Sequence, residues 1–516
     1  MMKKIFILIN FSCLFICNAQ NLGDLDTSFG NNGVTEYYIG GSNTPSLWKG
    51  FSGEKLTVLP DNRFFYTGST HWGCNGTSGS NWGGILARFT KDGSPDITFN
   101  NPQSYYFVNK GSYNVIKLCN DGKYLVATSN GFQKMDINGN FDENFGINGV
   151  AENVSGYPYY DIKELSDGGF IIIGNKYDVS KNYYPVIYKY TSNGILDTSF
   201  GNNGIVFFND KKNWVFDKVE VTTNGDIFIV GGKPIDPNDT TSTRMQNVMV
   251  YKINKFGEPI NTFGLNGFYL SNIYKYQNYY YNEVFCHLDG DGLIISGDGY
   301  STLLPSSKKI YMFKIQDNGL AYNFSNGFKN IPIYMSCDDV FFHNNKLYIF
   351  GTGPTTQKFI TVRFDLNGNL DNNYNNNLGY VQFQGYNLGL ENVNVSIQDG
   401  KLLFGQQFTY SMCFDDNQKT SIRRFYFDEA SLSSDESTLS KSVKLFPNPA
   451  SSFIKIKTEN KTLEITLLTS DGRKIPVKQH YENGQIILDI SQLSKGVYYL
   501  DIHFKDGRVK KSFIKK

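Results

Sequence analysis

Short apolar runs alternate with turn-forming residues along most of this 516-residue chain. Phe64–Tyr66, Ile171–Ile173 and Ile227–Val230 are such runs, and each follows a turn rich in Asp, Asn or Gly. Asn-Gly and Asp-Gly between apolar runs favour β-hairpins, because both central residues of the tightest hairpin turn need a positive φ. Apolar residues at helical spacing are nearly absent, so the pattern predicts an all-β protein.

One phrase recurs between residues 25 and 427, about every 57 residues. Its clearest form is Leu-Asp, two variable residues, Phe-Gly, two more variable residues and a final Gly. Clear copies lie at Leu25–Gly33, Asp142–Gly149, Leu196–Gly204 and Ile260–Gly267, and degenerate copies lie at Asp96–Phe99, Tyr322–Gly327 and Leu370–Tyr374. This period is the size of one propeller blade.

Two further patterns recur within each unit. One is an Asp or Asn turn followed by a strand, as in Asp121–Val126, and the other is a strand that ends in a Gly turn, as in Val250–Gly257. Each of the seven units thus carries about four strands, which predicts a seven-bladed β-propeller over residues 25–427. The repeats begin with a turn and the strand Val34–Tyr37, and they end at Phe427 with a strand that precedes such a turn. We therefore expect the first segment to complete the last blade and close the ring.

This region resembles the delta-60 repeat, a bacterial extracellular family that carries the same phrase beside an Asp-Gly-Lys-apolar strand. The likeness covers residues 25–427. It is clearest at Phe29, Phe145, Phe200 and Phe263 and fades at Phe99, Phe324 and Tyr374. The resemblance implies the propeller fold and no particular chemistry.

The N-terminus has the features of an export signal. Lys3 and Lys4 precede an apolar segment from Ile5 to Ile16, and small residues within Cys17–Ala19 offer a cleavage site. We expect residues 1–19 to be removed, so that the mature chain begins at Gln20. No later segment is apolar enough to span a membrane as a helix.

The charge of the chain is unevenly divided. The net charge of +1 predicts no nucleic-acid binding. Residues 20–442 carry 33 basic and 41 acidic side chains, whereas residues 443–516 carry 14 basic and 7 acidic ones. The near-neutral total therefore combines an acidic body with a basic C-terminal module.

The C-terminal module is separated from the repeats by a Ser-rich acidic stretch, residues 428–442, which we interpret as a linker. Residues 443–516 then alternate apolar and polar positions in short runs such as Leu463–Leu467. Several short strands of this kind predict a small Ig-like β-sandwich.

This module resembles the type A C-terminal sorting domain of the type IX secretion system of Bacteroidota. The Pro-Asn-Pro-Ala opening, the Asp-Gly turn, the Gly-Val-Tyr-Tyr phrase and the basic end match in order. The resemblance implies Sec export, recognition by the outer-membrane translocon, and often removal by a sorting peptidase with attachment to surface lipopolysaccharide. The chain is thus expected to be secreted or anchored at the cell surface. By this likeness the module is shaped by Pro447, Asn448, Pro449, Gly496 and Tyr498, and its basic end is formed by Lys510, Lys511, Lys515 and Lys516.

Standard catalytic motifs are missing from the sequence, so we predict no catalytic residue and no cofactor. The five cysteines after residue 19 are far apart and form no C-x-x-C pair, which predicts neither a disulfide framework nor a zinc site. Asp289 and Asp291 form a weak calcium candidate. Their segment lacks the third acidic position and the distant Glu of an EF-hand loop, and it equally fits a hairpin turn.

One acid or amide precedes the first apolar strand of each unit, which suggests a ring around the propeller axis. A ring of carboxylates at the channel mouth would attract a cation or raise the pKa values of its members. The alternative is that each side chain caps backbone N–H groups at its own blade entry. The seven residues are Glu54, Asn114, Asp161, Asp217, Glu283, Asp339 and Asn392.

Three functions are compatible with these features. The first is a non-catalytic, monomeric surface or secreted propeller that binds a glycan or a protein through aromatic-rich segments such as Tyr183-Tyr184. The second is a secreted polysaccharide hydrolase or lyase that uses two channel carboxylates. The third is a structural component of the cell surface.

Overall fold

The computed structural model describes most of the chain after Gln20. The described residues are 21–37, 49–72, 81–100, 105–109, 113–128, 131–152, 159–180, 182–234, 245–271, 279–301, 308–319, 321–322, 329, 331–353, 358–383, 394–406, 420–429, 443–458, 462–469, 473–482, 485–504 and 507–516. The predicted export signal, most of the predicted linker, the degenerate repeat copy at Phe324 and the ring residue Asn392 lie outside them.

The described part of the repeat region is almost entirely β-structure. After β1 (Val34–Tyr37), sheet 1 contains β2 (Lys49–Val58), β3 (Phe64–Trp72), β4 (Asn81–Phe89) and β5 (Tyr105–Asn109). Sheet 2 contains β6 (Tyr113–Leu118), β7 (Tyr124–Thr128), β8 (Gly131–Met135) and β9 (Ala151–Glu152). Sheet 3 contains β10 (Tyr159–Glu164), β11 (Phe170–Tyr177), β12 (Tyr183–Tyr190) and β13 (Ile205–Phe207).

Sheets 4 to 7 repeat this order. Sheet 4 contains β14 (Val215–Val221), β15 (Ile227–Pro234), β16 (Met245–Ile253) and β17 (Phe268–Leu270), and sheet 5 contains β18 (Tyr279–Asp289), β19 (Gly292–Ser301), β20 (Lys308–Ile315) and β21 (Ala321–Tyr322). Sheet 6 contains β22 (Asp339–His343), β23 (Lys346–Thr352), β24 (Phe359–Phe364) and β25 (Tyr380–Phe383), with the single-turn α1 (Tyr374–Asn377) before β25. Sheet 7 contains β26 (Asn394–Gln398), β27 (Lys401–Gln406) and β28 (Thr420–Phe425), and β1 is its fourth strand.

The pairing confirms an all-β fold of small antiparallel sheets. Within each sheet the strands pair in chain order, and sheets 4 and 5 are linked by one additional pair between Met245 and Tyr281. β1 pairs with β28 through Val34 and Arg423, so the first strand of the repeats belongs to the last sheet. The sequence expectation that the first segment completes the last unit is therefore confirmed at the level of strand pairing.

A separate apolar cluster lies between each sheet and the next. The cluster between sheets 3 and 4 includes Ile173, Phe200 and Val219, for example, and the cluster between sheets 6 and 7 includes Phe350 and Phe404. A further cluster joins Leu403 and Ile422 of sheet 7 to Phe64 and Tyr66 of sheet 1. Because both faces of each sheet are buried against neighbours, the sheets form a closed, propeller-like ring.

The Phe-Gly pair of the recurrent phrase joins adjacent units. Phe200 is fully buried, and the N–H of Gly201 donates to the carbonyl of Phe256 in the next unit at 2.8 Å. Gly201 has a φ of +52°, and a Cβ there would lie 2.4 Å from the carbonyl oxygen of Ile205. Only glycine fits such a site, which explains why the phrase carries Gly at this position.

The Asp of the phrase has two partners. One carboxylate oxygen of Asp26 accepts the N–H of Ser28 at 3.1 Å, which caps the turn, and the other accepts from a basic side chain. The same pairing recurs at Asp26 with Arg424 (2.7 Å), Asp96 with Arg88 (2.7 Å), Asp142 with Lys123 (2.6 Å), Asp197 with Lys189 (2.9 Å) and Asp371 with Arg363 (3.0 Å). Four of these pairs tie the turn to the third strand of the same sheet, and the pair of Asp142 with Lys123 ties it to the hairpin turn before β7.

The C-terminal module consists of two four-stranded antiparallel sheets. One has the order β29 (Lys444–Phe446), β30 (Phe453–Lys457), β34 (Gln485–Asp489) and β33 (Lys478–Glu482), and the other has the order β32 (Lys474–Ile475), β31 (Thr462–Thr469), β35 (Gly496–Phe504) and β36 (Gly507–Lys515). Ile454 and Leu488 from the first sheet and Leu500 and Phe513 from the second share one apolar cluster.

The module contacts one face of the ring. The Ser512 hydroxyl donates to the carbonyl of Pro60 at 3.3 Å, and a Cβ on Gly496 would lie 3.2 Å from Asn120 Oδ1. Lys511 lies near Asp399; burial lowers the pKa of the Lys511 ammonium, and the Asp399 charge opposes that shift. Pro60, Asn120 and Asp399 belong to the turns that connect the first two strands of sheets 1, 2 and 7. In the described part of the chain, no helix is long and apolar enough to cross a membrane.

Candidate functional site

The strand register corrects the prediction that seven acids and amides form one layer. Asp161 and Asp339 are equivalent, since they pair with Ile173 and Phe350, the residues just before the strand glycines 174 and 351. Asp217 instead lies in a β-bulge, at the register shift between Phe216 and Lys218. The backbones of Glu54 and Asn114 lie in the corresponding bulges of sheets 1 and 2. The backbone of Glu283 lies one position further from its hairpin turn than these bulged residues do, and it pairs with Asp298. The bulge of sheet 3 falls on Tyr160, so Asp161 lies one position nearer the turn than the bulged residues, and the sequence pattern grouped residues from different positions.

Two lysines occupy the same position along the first strand as Asp161 and Asp339 do. Lys55 pairs with Thr67 and Lys218 pairs with Val230, and each partner again precedes a strand glycine. These lysines are not among the predicted ring residues, although each directly follows one.

The Asp339 carboxyl shows that these charges converge on the ring axis. Burial raises the pKa of Asp339 to about 6, and the positive charges of Lys55 and Lys218 partly oppose this shift. Lys55 belongs to sheet 1 and Lys218 to sheet 4, on either side of the sheet that carries Asp339. Charges from both directions act on Asp339 because the first strand of each sheet lies next to the axis.

A second group of charged side chains lies two residues nearer the hairpin turns along the first strands. Lys163 Nζ and Glu220 Oε2 form an ion pair at 2.5 Å between sheets 3 and 4, and both side chains are mostly buried. Lys117 Nζ donates to the carbonyl of Ile162 at 2.5 Å. Burial, and then the charge of Lys163, lower the pKa of the Lys117 ammonium. The axis therefore combines lysines with carboxylates, which differs from the acidic ring that the sequence suggested.

Asp161 connects two sheets. Its Oδ1 accepts the N–H of Ile162 at 2.9 Å, and its Oδ2 accepts the N–H of Val219 in the next sheet at 3.0 Å. Asp339 Oδ1 accepts the N–H of Val340 at 2.8 Å. The bonds to Ile162 and Val340 lie within the acid's own sheet, as the capping alternative expects, whereas the bond to Val219 crosses to the next sheet.

The calcium candidate Asp289 forms an ion pair with Lys314 of the third strand of its own sheet. Asp291 follows Gly290 in the hairpin turn between β18 and β19, where Gly290 has a φ of +60°. Among the described residues, no three His, Cys, Asp or Glu side chains are grouped so that they could hold a metal ion. The hairpin turn that the sequence offered as the alternative is present.

The two faces of the ring differ in their connections. The turns between the first and second strands, and the recurrent phrases that follow the third strands, lie at the end of the sheets that faces the C-terminal module. The second strands end and the third strands begin at the opposite end, and the number of residues between them ranges from two (129–130) to 13 (407–419). Loops of variable length on a rigid scaffold are common places for binding sites.

Tyrosines gather on this second face at sheet 3. Tyr177 at the end of β11 pairs with Tyr183 at the start of β12, and their ring centroids are 5.9 Å apart. Tyr160 of β10 lies beside them, and its hydroxyl accepts from Asn175 Nδ2 at 3.2 Å. The exposed fractions of Tyr160 and Tyr177 are 38% and 37%. Of the Tyr183-Tyr184 segment predicted from the sequence, Tyr183 thus contributes to an exposed aromatic surface with Tyr160 and Tyr177, which the sequence pattern did not indicate. Tyr184 lies on the opposite face of the sheet, beside Phe207.

The residues singled out in the C-terminal module hold its ends together. Asn448, between Pro447 and Pro449, accepts the N–H of Ile514 at 2.9 Å through Oδ1. The hydroxyl of Tyr498 donates to the carbonyl of Ser494 at 2.9 Å, and its ring stacks on Phe513.

The predicted basic end is only partly exposed. Lys510 and Lys516 are exposed, whereas Lys511 is half-buried against the ring and Lys515 is 9% exposed. Lys515 Nζ donates to the carbonyl of Lys516 at 2.9 Å.

The sequence of the C-terminal module matches one known protein family. Residues 444–516 match the secretion system C-terminal sorting domain. The sorting domain indicates export through type IX secretion to the cell surface or the extracellular space, and it implies interaction with the type IX machinery. No curated protein matches the chain.

Several solved structures are similar to the chain at low identity. The polysaccharide lyase Uly1 is 11% identical, with a TM-score of 0.43 and coverage of 77% of this chain and 93% of the lyase. An α-L-arabinanase from Penicillium chrysogenum in complex with arabinobiose is 10% identical, with a TM-score of 0.36 and coverage of 77% and 98%. An α-L-arabinofuranosidase from Fusarium graminearum is 8% identical, with a TM-score of 0.36 and coverage of 76% and 96%.

Proposed function

We propose that the mature protein is an exported seven-bladed β-propeller of the delta-60 type that binds a glycan or a protein without catalysing a reaction. In this proposal sheets 1 to 7 are the blades, and the sorting domain is an Ig-like sandwich that directs the chain to the export machinery. Partners are the type IX translocon, its sorting peptidase and an extracellular ligand.

One observation carries the binding role. The sorting domain covers turns on one face of the ring, and the exposed tyrosines Tyr160 and Tyr177 lie on the other face. A ligand can therefore reach this aromatic surface while the sorting domain remains in place. Exposed aromatic rings rimmed by polar groups are typical of interaction surfaces.

The role of the sorting domain in export can be tested in cells with a type IX system, by comparing the full chain with a chain that lacks residues 443–516. We expect the full chain outside the outer membrane and the truncated chain in the periplasm. Surface delivery of the truncated chain would contradict this role of the sorting domain.

The binding role is tested separately with purified full chain against panels of glycans and of envelope proteins from the same cells. Retention of a glycan or a protein without its breakdown supports binding. Turnover of a panel member would contradict the non-catalytic role.

A second function is favoured by Asp339 alone. A carboxyl whose pKa is raised to about 6 can act as a general acid near neutral pH, as hydrolases and lyases of polysaccharides require. In that case incubation with polysaccharides would release reducing ends or unsaturated products, and Asp339→Asn would abolish the release. An unchanged rate in Asp339→Asn would exclude this role for Asp339.

A further inference from the structure

The exposed tyrosines of sheet 3 cover a buried polar group that lacks a partner. Asn175 is 2% exposed, and its Nδ2 donates to the Tyr160 hydroxyl. Its Oδ1 has no hydrogen-bond partner among the described residues. A buried carbonyl oxygen of this kind is normally satisfied by a protein group, a water molecule or a ligand. Because Asn175 and Tyr177 are two residues apart on β11, they share one face of the sheet.

The next sheet contributes an acid to the same place. Asp217 occupies the bulge at the start of β14, and its charge acts on both Tyr160 and Tyr183. Burial, assisted by the neighbouring tyrosines and Asp217, raises the pKa of Tyr160 and of Tyr183 to about 12. Both hydroxyls therefore keep their protons at neutral pH and can donate hydrogen bonds.

The lysine between Asn175 and Tyr177 lies on the opposite face of sheet 3, whereas Lys233 of sheet 4 lies over Trp214 on the side that faces sheet 3. Lys176 alternates with Asn175 and Tyr177 along β11, and its Nζ lies 5.4 Å from the centre of the Phe207 ring. Tyr184 also lies on that opposite face, with its ring 6.0 Å from Phe207. The face that carries Tyr177 thus combines aromatic rings, an amide and a carboxylate. A carboxylate repels acidic sugars and accepts hydrogen bonds from neutral hydroxyls.

We propose that Tyr160, Tyr177, Tyr183, Asn175 and Asp217 form a subsite for a neutral saccharide. The sugar ring stacks on Tyr177 through its C–H face, and one hydroxyl donates to Asp217. A second hydroxyl donates to Asn175 Oδ1 when the Tyr160 side chain that covers this atom turns aside. Tyr160 and Tyr183 border the ring and donate to its remaining oxygens. This inference rests on the proposed binding function and narrows the ligand from a glycan or protein to a neutral glycan.

The test measures the binding of purified full chain to neutral polysaccharides (xylan, glucomannan, laminarin and amylose) and to acidic ones (alginate and polygalacturonate) by calorimetry. Tyr177→Ala removes the exposed ring. Asn175→Ser shortens the side chain and removes the amide oxygen that lacks a partner. Tyr184→Ala is the matched control, because it removes the adjacent tyrosine from the opposite face of the same hairpin. Unfolding curves establish that each variant is folded before its binding is measured.

We expect at least one neutral polysaccharide to bind, with a loss of affinity of at least tenfold in Tyr177→Ala and a smaller loss in Asn175→Ser. Tyr184→Ala should bind as the unmodified chain does. Neutral binding that persists in Tyr177→Ala, or a preference for acidic polysaccharides, would overturn this subsite and leave the binding function intact. Binding of an envelope protein but of no polysaccharide would also overturn the subsite alone. Binding of neither glycans nor envelope proteins would overturn the subsite and the proposed function together.

Discussion

Arg424 donates from Nε to Asp26 Oδ2 at 2.7 Å, across the point where the two ends of the repeat region meet. The Asp26 side chain is 1% exposed and that of Arg424 is 9% exposed. Lys401 also donates to Asp26 at 2.8 Å. One carboxylate near the start of the mature chain thus holds two strands of the last sheet.

Loss of this carboxylate should open the ring at its closure. Asp26→Ala removes the carboxylate that balances the buried charge of Arg424, and breaking a buried ion pair costs about 3–5 kcal/mol. We expect a lower free energy of unfolding and faster hydrogen exchange in β1 than in the strands of sheet 3. The control is Asp197→Ala, which breaks the equivalent but more exposed pair with Lys189 within a continuous segment. Equal losses in the two variants would contradict a special role for the closing pair.

The same carboxylate should affect acid stability. Burial opposes ionisation of Asp26, but hydrogen bonds from Lys401 and Ser28 and the charge of Arg424 outweigh it and hold its pKa well below the usual range. The contribution of a carboxylate with a lowered pKa is present above its unfolded pKa, near 3.8, and is lost as the pH falls towards the folded value. We expect urea unfolding to show that the stability difference between the unmodified chain and Asp26→Asn shrinks below pH 3.8. A constant difference down to the lowest pH would contradict this.

Two glycines with positive φ should respond differently to alanine. Gly146 has a φ of +64°, and a Cβ there would lie 2.0 Å from the carbonyl oxygen of Val150, whereas Gly122 at +82° has nothing within 4 Å. Gly122→Ala should cost only the conformational penalty of about 1–2 kcal/mol. Gly146→Ala adds a backbone clash at the junction between units and should cost clearly more. Thermal unfolding of both variants measures the loss of stability. Equal losses would show that the backbone at Val150 moves to accept a Cβ on residue 146, and would contradict the prediction.

Glu164 should make the protein less stable as the pH rises. Its Oε2 accepts the N–H of Asn120 at 2.7 Å, but burial dominates and raises its pKa from 4.5 to about 7. A carboxyl with a raised folded pKa binds more protons in the folded state, so stability falls between about pH 4.5 and 7. Glu164→Gln should therefore be more stable than the unmodified chain at pH 8, with a gain that disappears towards pH 4.5. The control is Glu143→Gln at an exposed position, and a similar gain there would refute the explanation.

Charge reversal at Lys511 should loosen the sorting domain from the ring. Lys511→Glu places a second negative charge near Asp399, and like charges at a partly buried contact repel. We expect a larger radius of gyration by X-ray scattering and faster hydrogen exchange in the turn at Pro60–Asn62. Lys457→Glu, an exposed position in the other sheet of the domain, should change neither quantity. Identical scattering of the unmodified chain and Lys511→Glu would contradict the contact described above.

The repeat pattern was readable because each unit meets the same local requirements. Gly201 must be glycine where its φ is positive and a neighbouring carbonyl lies close, and Phe200 must fill the space between two sheets. Requirements set by the backbone and by the nearest unit recur in every unit, so they appear as a period. The recurrent Asp was visible for the same reason, although its basic partner on the third strand was found only in the structure.

The channel residues were less predictable because one extra residue in a strand changes the alignment. Asp217 lies in such a bulge, whereas Asp161 and Asp339 lie one position nearer the turn, where no residue is inserted. The convergence of Lys55 and Lys218 on Asp339 depends on which strands lie at the axis. No short sequence pattern records that arrangement.

The sequence by itself determined the all-β class, the period of the repeats and the sorting domain, since turn chemistry, alternation and motif order are local properties of the chain. The tertiary structure decided the pairing of Asp26 with Arg424, the mixture of lysines and carboxylates at the axis, and the tyrosines gathered over Asn175. These contacts join residues that are far apart in the chain or belong to different sheets. They depend on ring closure and on the exact count of residues in each strand, which only the folded chain reveals.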